Sequence, residues 1–106
     1  MNRCTISHHR INSRDEHLDI FFETQNYLET YEVPEKDINE LFSQKKIICS
    51  KKEPHRKVYL DYEGEISNHR GFLKILWKGY FLNAKKSFPE QLRIFMVDHQ
   101  YLRLEF

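Results

Sequence analysis

Two side chains of the kind that bind divalent metal ions lie two residues apart, at His17 and Asp19. Residues i and i+2 of a β-strand point to the same face, so this imidazole and carboxylate would project together while Leu18 packs behind them. Histidine and aspartate are common ligands of Zn²⁺ and Mn²⁺. The alternative is an exposed His–Asp pair on a solvated strand, and the spacing taken alone favours that alternative.

Two further histidines, His8 and His9, follow a predicted strand at residues 3–7. A neighbouring strand could bring one of them beside His17. Two imidazoles and one carboxylate would then form a ligand set that leaves metal positions open. Paired histidines at the end of a strand are otherwise simply exposed.

His55 is a third candidate, with Tyr59 four residues further along the chain. If the intervening chain is extended, both side chains lie on the same side. A histidine near a bound metal ion could act as a general acid or stabilise charge on a transferring phosphoryl group. The alternative is a loop histidine that follows Pro54.

Positive charge is concentrated in the middle of a nearly neutral chain, which has 17 Lys and Arg residues against 16 Asp and Glu residues. Net charge therefore predicts no polyanionic partner, so the local distribution of basic residues must indicate whether the chain binds one. Clustered basic side chains contact nucleic-acid phosphates without regard to sequence, and on strand edges they also discourage edge pairing. Both interpretations stay open for the basic cluster of Lys45, Lys46, Lys51, Lys52, Arg56 and Lys57.

The elements that must position these residues are mostly strands. Alternating apolar residues and β-branched or aromatic runs predict them, while helical spacing predicts one short helix around residues 35–42. A loop is expected at residues 9–16 and a tight turn at residues 98–100. The pattern indicates a mainly β fold, a small closed or half-closed β-barrel of about seven strands with one short helix, in a single domain of residues 1–106. The predicted strands are residues 3–7, 17–23, 27–33, 46–49, 57–62, 72–77, 92–97 and 101–106.

The cysteine count and the hydropathy pattern indicate where in the cell the protein is expected. Cys4 and Cys49 are the only cysteines, and two buried thiols in a reducing cytosol are favoured over one disulfide. The polar N-terminal stretch lacks the apolar segment of a signal peptide. No segment approaches the roughly 20 apolar residues that cross a bilayer. The expected location is cytoplasmic, without membrane association.

Together, the motifs resemble the 3′-phosphoesterase domain of bacterial DNA ligase D, and more closely the stand-alone phosphoesterase-like proteins related to it. Residues 6–8, 17–23 and 27–34 are similar to the family's first histidine, its H-x-D-h-x-h-E strand and the strand that follows. The stretch HRKVYLDYEG at residues 55–64 is similar to the family's H-x-x-x-Y-x-D-F/Y-E-G. The resemblance spans nearly the whole chain and continues through Gly71, Trp77 and Gly79.

The resemblance implies a compact β-barrel that binds a divalent metal ion, typically Mn²⁺ with Zn²⁺ as an alternative. Such enzymes trim 3′ ends of DNA or RNA–DNA strands in DNA end-processing and repair, removing a 3′-ribonucleotide or a 3′-phosphate. This chain would act as a monomer, with a separate ligase or polymerase as a possible partner. Carried over by position, His8, His17 and Asp19 would be metal ligands. His55 would contact the scissile phosphate, with Tyr59 beside it.

Active members of the family carry a phosphate-binding arginine two residues after the metal-binding aspartate, where this chain has Phe21. The segment between His8 and His17 is longer than in the ligase domain, so His9 could replace His8 as the ligand. A non-catalytic module that keeps the barrel and binds nucleic acid or a protein is therefore the alternative function. The candidate phosphate contacts are His9, Arg10, Arg14, Lys46, Lys52 and Arg56.

Overall fold

The strands of this protein belong to one continuous sheet. The computed structural model describes residues 2–105, so Phe106, with which the last predicted strand ends, lies outside the described residues. A 3₁₀ turn at Glu35–Asp37 leads into helix α1 (Ile38–Phe42), and a second 3₁₀ turn spans Lys57–Leu60. The described chain has eight strands: β1 (Arg3–Asn12), β2 (Asp15–Glu23), β3 (Leu28–Pro34), β4 (Ile47–His55), β5 (Gly64–Glu65), β6 (Phe72–Leu82), β7 (Gln91–Asp98) and β8 (Tyr101–Glu105).

The sheet closes on itself because β6 pairs with β1. Neighbouring strands follow the order β1-β2-β3-β4-β7-β8-β6, so seven strands form a ring, and β5 pairs with β6 beside it. The pairings are antiparallel except for the parallel pair β6–β8. The predicted fold, mainly β with about seven strands closing on themselves and one short helix, is confirmed.

Strand β2 is buried on both faces, which sets it apart from a half-solvated strand. On its inner face, Leu18, Ile20 and Phe22 belong to the main core. On its outer face, Phe21 packs in a second, smaller cluster with Leu28 and Leu60. Because the outer face also carries His17 and Asp19, the polar candidates lie in a covered site rather than on an open surface.

The cover of that outer face comes from the segment where a strand was predicted. The prediction of a strand at residues 57–62 is wrong, since residues 57–60 form a 3₁₀ turn. Val58 is 58% exposed, whereas Leu60 is buried against Phe21. β propensity reflects how well a side chain fits a half-buried pleated surface. Here Leu60 packs across the face of β2 instead of joining a strand pair.

Strands β1, β4 and β6 extend well beyond their predicted ends, β6 as far as Leu82. Strand β1 continues to Asn12, which replaces most of the loop expected at residues 9–16. Strand β4 passes Pro54 and ends at His55. Its pairing with β3 shifts register between Leu28 and Thr30, and such an irregularity tolerates a proline that donates no backbone hydrogen bond.

Gly79 of β6 lies where another segment approaches the strand closely. A Cβ atom at this position would overlap the Trp77 ring and lie 2.5 Å from the Gln100 carbonyl oxygen. That carbonyl accepts a hydrogen bond from the Tyr80 N–H at 2.8 Å, and the Trp77 indole donates to the His99 carbonyl at 2.9 Å. The turn at residues 98–100 is therefore held directly against β6.

Gly79→Ala is expected to lower the free energy of unfolding by about 1–3 kcal/mol, since the added methyl group must displace a ring and a backbone carbonyl. Denaturant unfolding followed by tryptophan fluorescence or circular dichroism measures the change. Lys78→Ala on the same strand is the matched control, because the Lys78 side chain is exposed and forms an ion pair with the exposed Asp61. Equal midpoints for the two variants would contradict the close approach at Gly79.

Both cysteines are free, buried thiols. Burial raises the pKa of Cys49 to about 12 and raises that of Cys4 as well. A thiolate is the nucleophilic form of cysteine, so neither residue fits a nucleophilic role near neutral pH. In the part of the chain that the structure describes, no helix is long and apolar enough to span a membrane.

Candidate metal centre

The register between β1 and β2 brings two histidines and an aspartate together on the outer face of the sheet. His9 pairs with His17, and Asp19 lies two residues further along β2, opposite Ser7. Paired residues of antiparallel strands share a face, and so do residues two apart on one strand. His9, His17 and Asp19 therefore form the group that we call the triad.

The donor atoms of the triad converge on one point. His9 Nδ1 lies 3.2 Å from His17 Nε2 and 3.3 Å from Asp19 Oδ2, and His17 Nε2 lies 3.2 Å from Asp19 Oδ1. Atoms bound about 2.1 Å from a shared ion lie about 3.0 Å apart at octahedral angles and about 3.4 Å apart at tetrahedral angles. The triad is therefore a group that could hold a divalent metal ion.

A backbone carbonyl fixes the orientation of His9. The Nε2 atom donates a hydrogen bond to the Arg70 carbonyl oxygen at 2.8 Å, so in the neutral ring the lone pair is on Nδ1, the atom that faces His17 and Asp19. Histidine ligands of metals typically donate their other ring nitrogen to a carbonyl or carboxylate in this way.

The Asp19 carboxylate is almost inaccessible, with 2% of the residue exposed. Burial raises its pKa, but the close imidazoles of His17 and His9 lower it by more, so the pKa of Asp19 lies far below its usual range. Asp19 in turn raises the pKa of His9, against the opposing effect of burial. Asp19 Oδ1 has no hydrogen-bond partner among the described residues. An ionised, buried carboxylate fits a cation ligand.

Glu32 and Lys52 extend the site across the next two strands, and sequence reasoning missed Glu32. Glu32 pairs with Asp19, and its Oε1 atom lies 3.4 Å from His17 Nε2 and 3.0 Å from Lys52 Nζ. Alternation on β3 would have put Glu32 on one face, but only the register with β2 shows that this face carries the triad. Lys52 places a positive charge at the rim of the triad.

His8, the ligand carried over by position, lies on the opposite face of β1. Its Nε2 atom is 3.1 Å from Glu16 Oε2 and 3.7 Å from Glu35 Oε1. Because β1 stays extended beyond the predicted loop, adjacent residues face opposite sides. The structure therefore places His9, the alternative ligand, beside His17 and Asp19. His8, Glu16 and Glu35 form a separate, more exposed group.

His55 and Tyr59 lie on the same outer face, further along β2 from the triad. The His55 ring packs 5.3 Å from the Phe21 ring and 5.9 Å from the Tyr59 ring, measured between centroids. Its Nδ1 donates to the Glu53 carbonyl at 3.0 Å, which leaves Nε2 to act on a ligand. The Tyr59 hydroxyl accepts a hydrogen bond from Arg56 at 3.4 Å.

The remaining candidate phosphate contacts do not all meet at this face. Lys52 lies beside the triad, where it binds Glu32. Arg56 follows His55 in the chain and contacts Tyr59. Arg10 binds Glu16 at 2.8 Å on the His8 side. Lys46 binds Glu105 of β8 at 2.9 Å, and Arg14 lies exposed in the turn between β1 and β2.

Comparison with models of known protein families finds no match. No curated protein matches the chain significantly. The candidate metal centre therefore rests on its own geometry and on the chemistry of its donors.

Proposed function

We propose that this protein is a metal-dependent phosphoesterase that acts on 3′ ends of nucleic acid and removes a 3′-phosphate or a 3′-ribonucleotide. The observation that carries this proposal is the convergence of three donor groups, in which each pair has donor atoms 3.2–3.3 Å apart, on the face that also carries His55 and Lys52. The motif order of the chain adds support, because it resembles that of the 3′-phosphoesterase domain. The reaction class is hydrolysis of a phosphate ester.

The triad holds the metal ion in this proposal, with Mn²⁺ or Zn²⁺ suited to one carboxylate and two imidazoles. A bound ion supplies Lewis-acid polarisation of a phosphate oxygen and a lowered pKa for water. The His9–Arg70 hydrogen bond keeps one ligand oriented, and the buried Asp19 carboxylate keeps its charge for the ion.

His55 acts on the phosphate from the other end of the same face. With Nδ1 held by the Glu53 carbonyl, Nε2 is directed away from the backbone and can exchange a proton with a phosphate oxygen or a leaving group. Tyr59 packs against His55 and limits the orientations of its ring. The two residues therefore position and protonate the substrate, while the triad holds the ion.

Lys52 supplies the positive charge that Phe21 cannot. Phe21, Thr30 and Lys52 are cross-strand neighbours on β2, β3 and β4. Phe21 is fully buried and serves packing. The Lys52 ammonium lies 3.0 Å from Glu32 beside the triad. In the proposed enzyme Lys52 exchanges this ion pair for a contact with the substrate phosphate.

The proposal is tested with purified protein and Mn²⁺ on short duplexes that end in a 3′-phosphate or a 3′-ribonucleotide. We expect release of inorganic phosphate or of a ribonucleoside. Neither product should form when a chelator removes the metal ion. The same duplexes with a 5′-phosphate are the control and should stay intact. Absence of any product from metal-loaded protein would refute the proposal.

A non-catalytic nucleic-acid-binding module is the second candidate. It is favoured by the burial of Phe21 at the position where active relatives of this type carry an arginine, and by Arg56 beside His55. Clustered cations make binding depend steeply on salt concentration. Salt-sensitive binding of 3′ ends without product would support this candidate, whereas a product that depends on His55 would exclude it.

A further inference from the structure

Two buried hydroxyl groups near the triad have no hydrogen-bond partner among the described residues. They belong to Ser7 and Thr5, which are 0% and 2% exposed. Leaving a buried hydroxyl unpaired costs about 1–3 kcal/mol, and nearly all buried polar groups in folded proteins are paired. The two hydroxyls therefore call for an explanation.

Ser7 lies directly opposite Asp19 in the β1–β2 pair and two residues from His9. Side chains opposite each other in an antiparallel pair have Cβ atoms about 4.5–5.5 Å apart. The Ser7 hydroxyl thus shares a face with Asp19 Oδ1, which is also without a hydrogen-bond partner among the described residues. A change of the Ser7 χ1 rotamer is the only side-chain motion needed to turn the hydroxyl on this face.

The strand ladder is irregular on the other side of Ser7. The pairing of β1 with β6 shifts between Ile6 and Ser7, so that Ile6 faces Trp77 while Ser7 faces Ile75. The Ile75 N–H donates to the Glu63 carboxylate at 2.9 Å. A bulge of this kind re-aims side chains and is frequent beside functional sites.

Metal binding would change the hydrogen bonding of Asp19 Oδ1. This oxygen lies 3.2 Å from His17 Nε2. If Nε2 held a metal ion, its lone pair would be used for the ion and this nitrogen would not donate a hydrogen bond to Asp19. Because Asp19 is 2% exposed, a hydrogen-bond donor to this oxygen would have to be a buried group.

We propose that Ser7 is a positioning residue for the metal centre, whose hydroxyl donates a hydrogen bond to Asp19 Oδ1 when the triad holds a metal ion. The inference rests on the metal centre proposed above and adds the group that orients its carboxylate. Donors of this kind typically change metal affinity by about 10- to 100-fold. The Ser7 hydroxyl, which has no partner among the described residues, would gain one in the metal-bound protein.

The test compares Ser7→Ala with the wild-type protein in calorimetric titrations with Mn²⁺ or Zn²⁺ alone. We expect the affinity to fall by about 10-fold or more, and the visible spectrum of bound Co²⁺ to change as the carboxylate reorients. The metal-free variant should unfold at the same temperature as the wild type or higher, because an unpaired hydroxyl has been removed. Ser7→Gly should weaken binding in the same way.

Thr5→Val is the matched control. It removes the second unpartnered hydroxyl from the same face of β1, but Thr5 is opposite Phe21 rather than Asp19. Metal affinity should be unchanged. Equal affinity of Ser7→Ala and wild type, or an equal loss in Thr5→Val, would overturn the role of Ser7 while leaving the metal centre standing. Wild-type protein that binds no metal would overturn both.

Discussion

His9→Ala is expected to abolish stoichiometric binding of Mn²⁺ or Zn²⁺, whereas His8→Ala leaves it intact. His9 Nδ1 lies 3.2 Å and 3.3 Å from the other two donor groups of the triad, so its loss removes one of three ligands. Loss of an outer-shell partner alone weakens metal binding by about 10- to 100-fold, and loss of a ligand should exceed that range. Titration calorimetry and elemental analysis of dialysed protein measure the difference.

His8→Ala is the matched control for His9→Ala, because the two residues are adjacent in the chain and face opposite sides of one strand. His8 contacts Glu16 and Glu35 instead of the triad. His17→Ala and Asp19→Asn should behave like His9→Ala. If His8→Ala lost the metal and His9→Ala kept it, the ion would belong to the His8 group and the proposed centre would be refuted.

His55→Ala is expected to lower turnover of a 3′-phosphate substrate by about 10²- to 10⁴-fold, the usual contribution of a general acid–base group. Metal affinity should not change, since the contacts of His55 are with Phe21, Tyr59 and the Glu53 carbonyl. Single-turnover assays at saturating Mn²⁺ separate this loss from a weaker metal site.

His99→Ala serves as the comparison, because His99 is an exposed turn residue whose side chain has no part in the proposed site. It should retain full turnover. A His55→Ala protein with wild-type turnover would remove His55 from the mechanism. A His55→Ala protein that has lost its metal ion would show that His55 supports the ion rather than the phosphate.

The two faces of β2 carry different kinds of residue, one set that packs in the core and one that includes the candidate metal ligands. Leu18, Ile20 and Phe22 face the main core, while His17, Asp19 and Phe21 alternate with them on the outer face. A strand buried on both faces holds polar side chains rigidly, since neither face can relax into solvent. This rigidity suits a site whose donors must stay within a few tenths of an ångström of one geometry.

The sequence by itself determined the features that depend on local periodicity. The alternation of residues 17–23 placed His17 and Asp19 on one face, and the apolar spacing around Ile38 and Leu41 indicated the short helix. The number of short strands indicated a closing sheet. These predictions hold because side-chain direction within a strand or helix follows from its own repeat.

Only the tertiary structure decided which residues of other strands join the pair. A shift of one residue in strand register turns every side chain to the opposite face, so His9 and not His8 meets His17 only because β1 stays extended and pairs in one register. That register also brings Ser7 to Asp19, and the register between β2 and β3 brings Glu32 there. The 3₁₀ turn at Lys57–Leu60 covers this face because Leu60 is buried there, a long-range contact that no local pattern encodes.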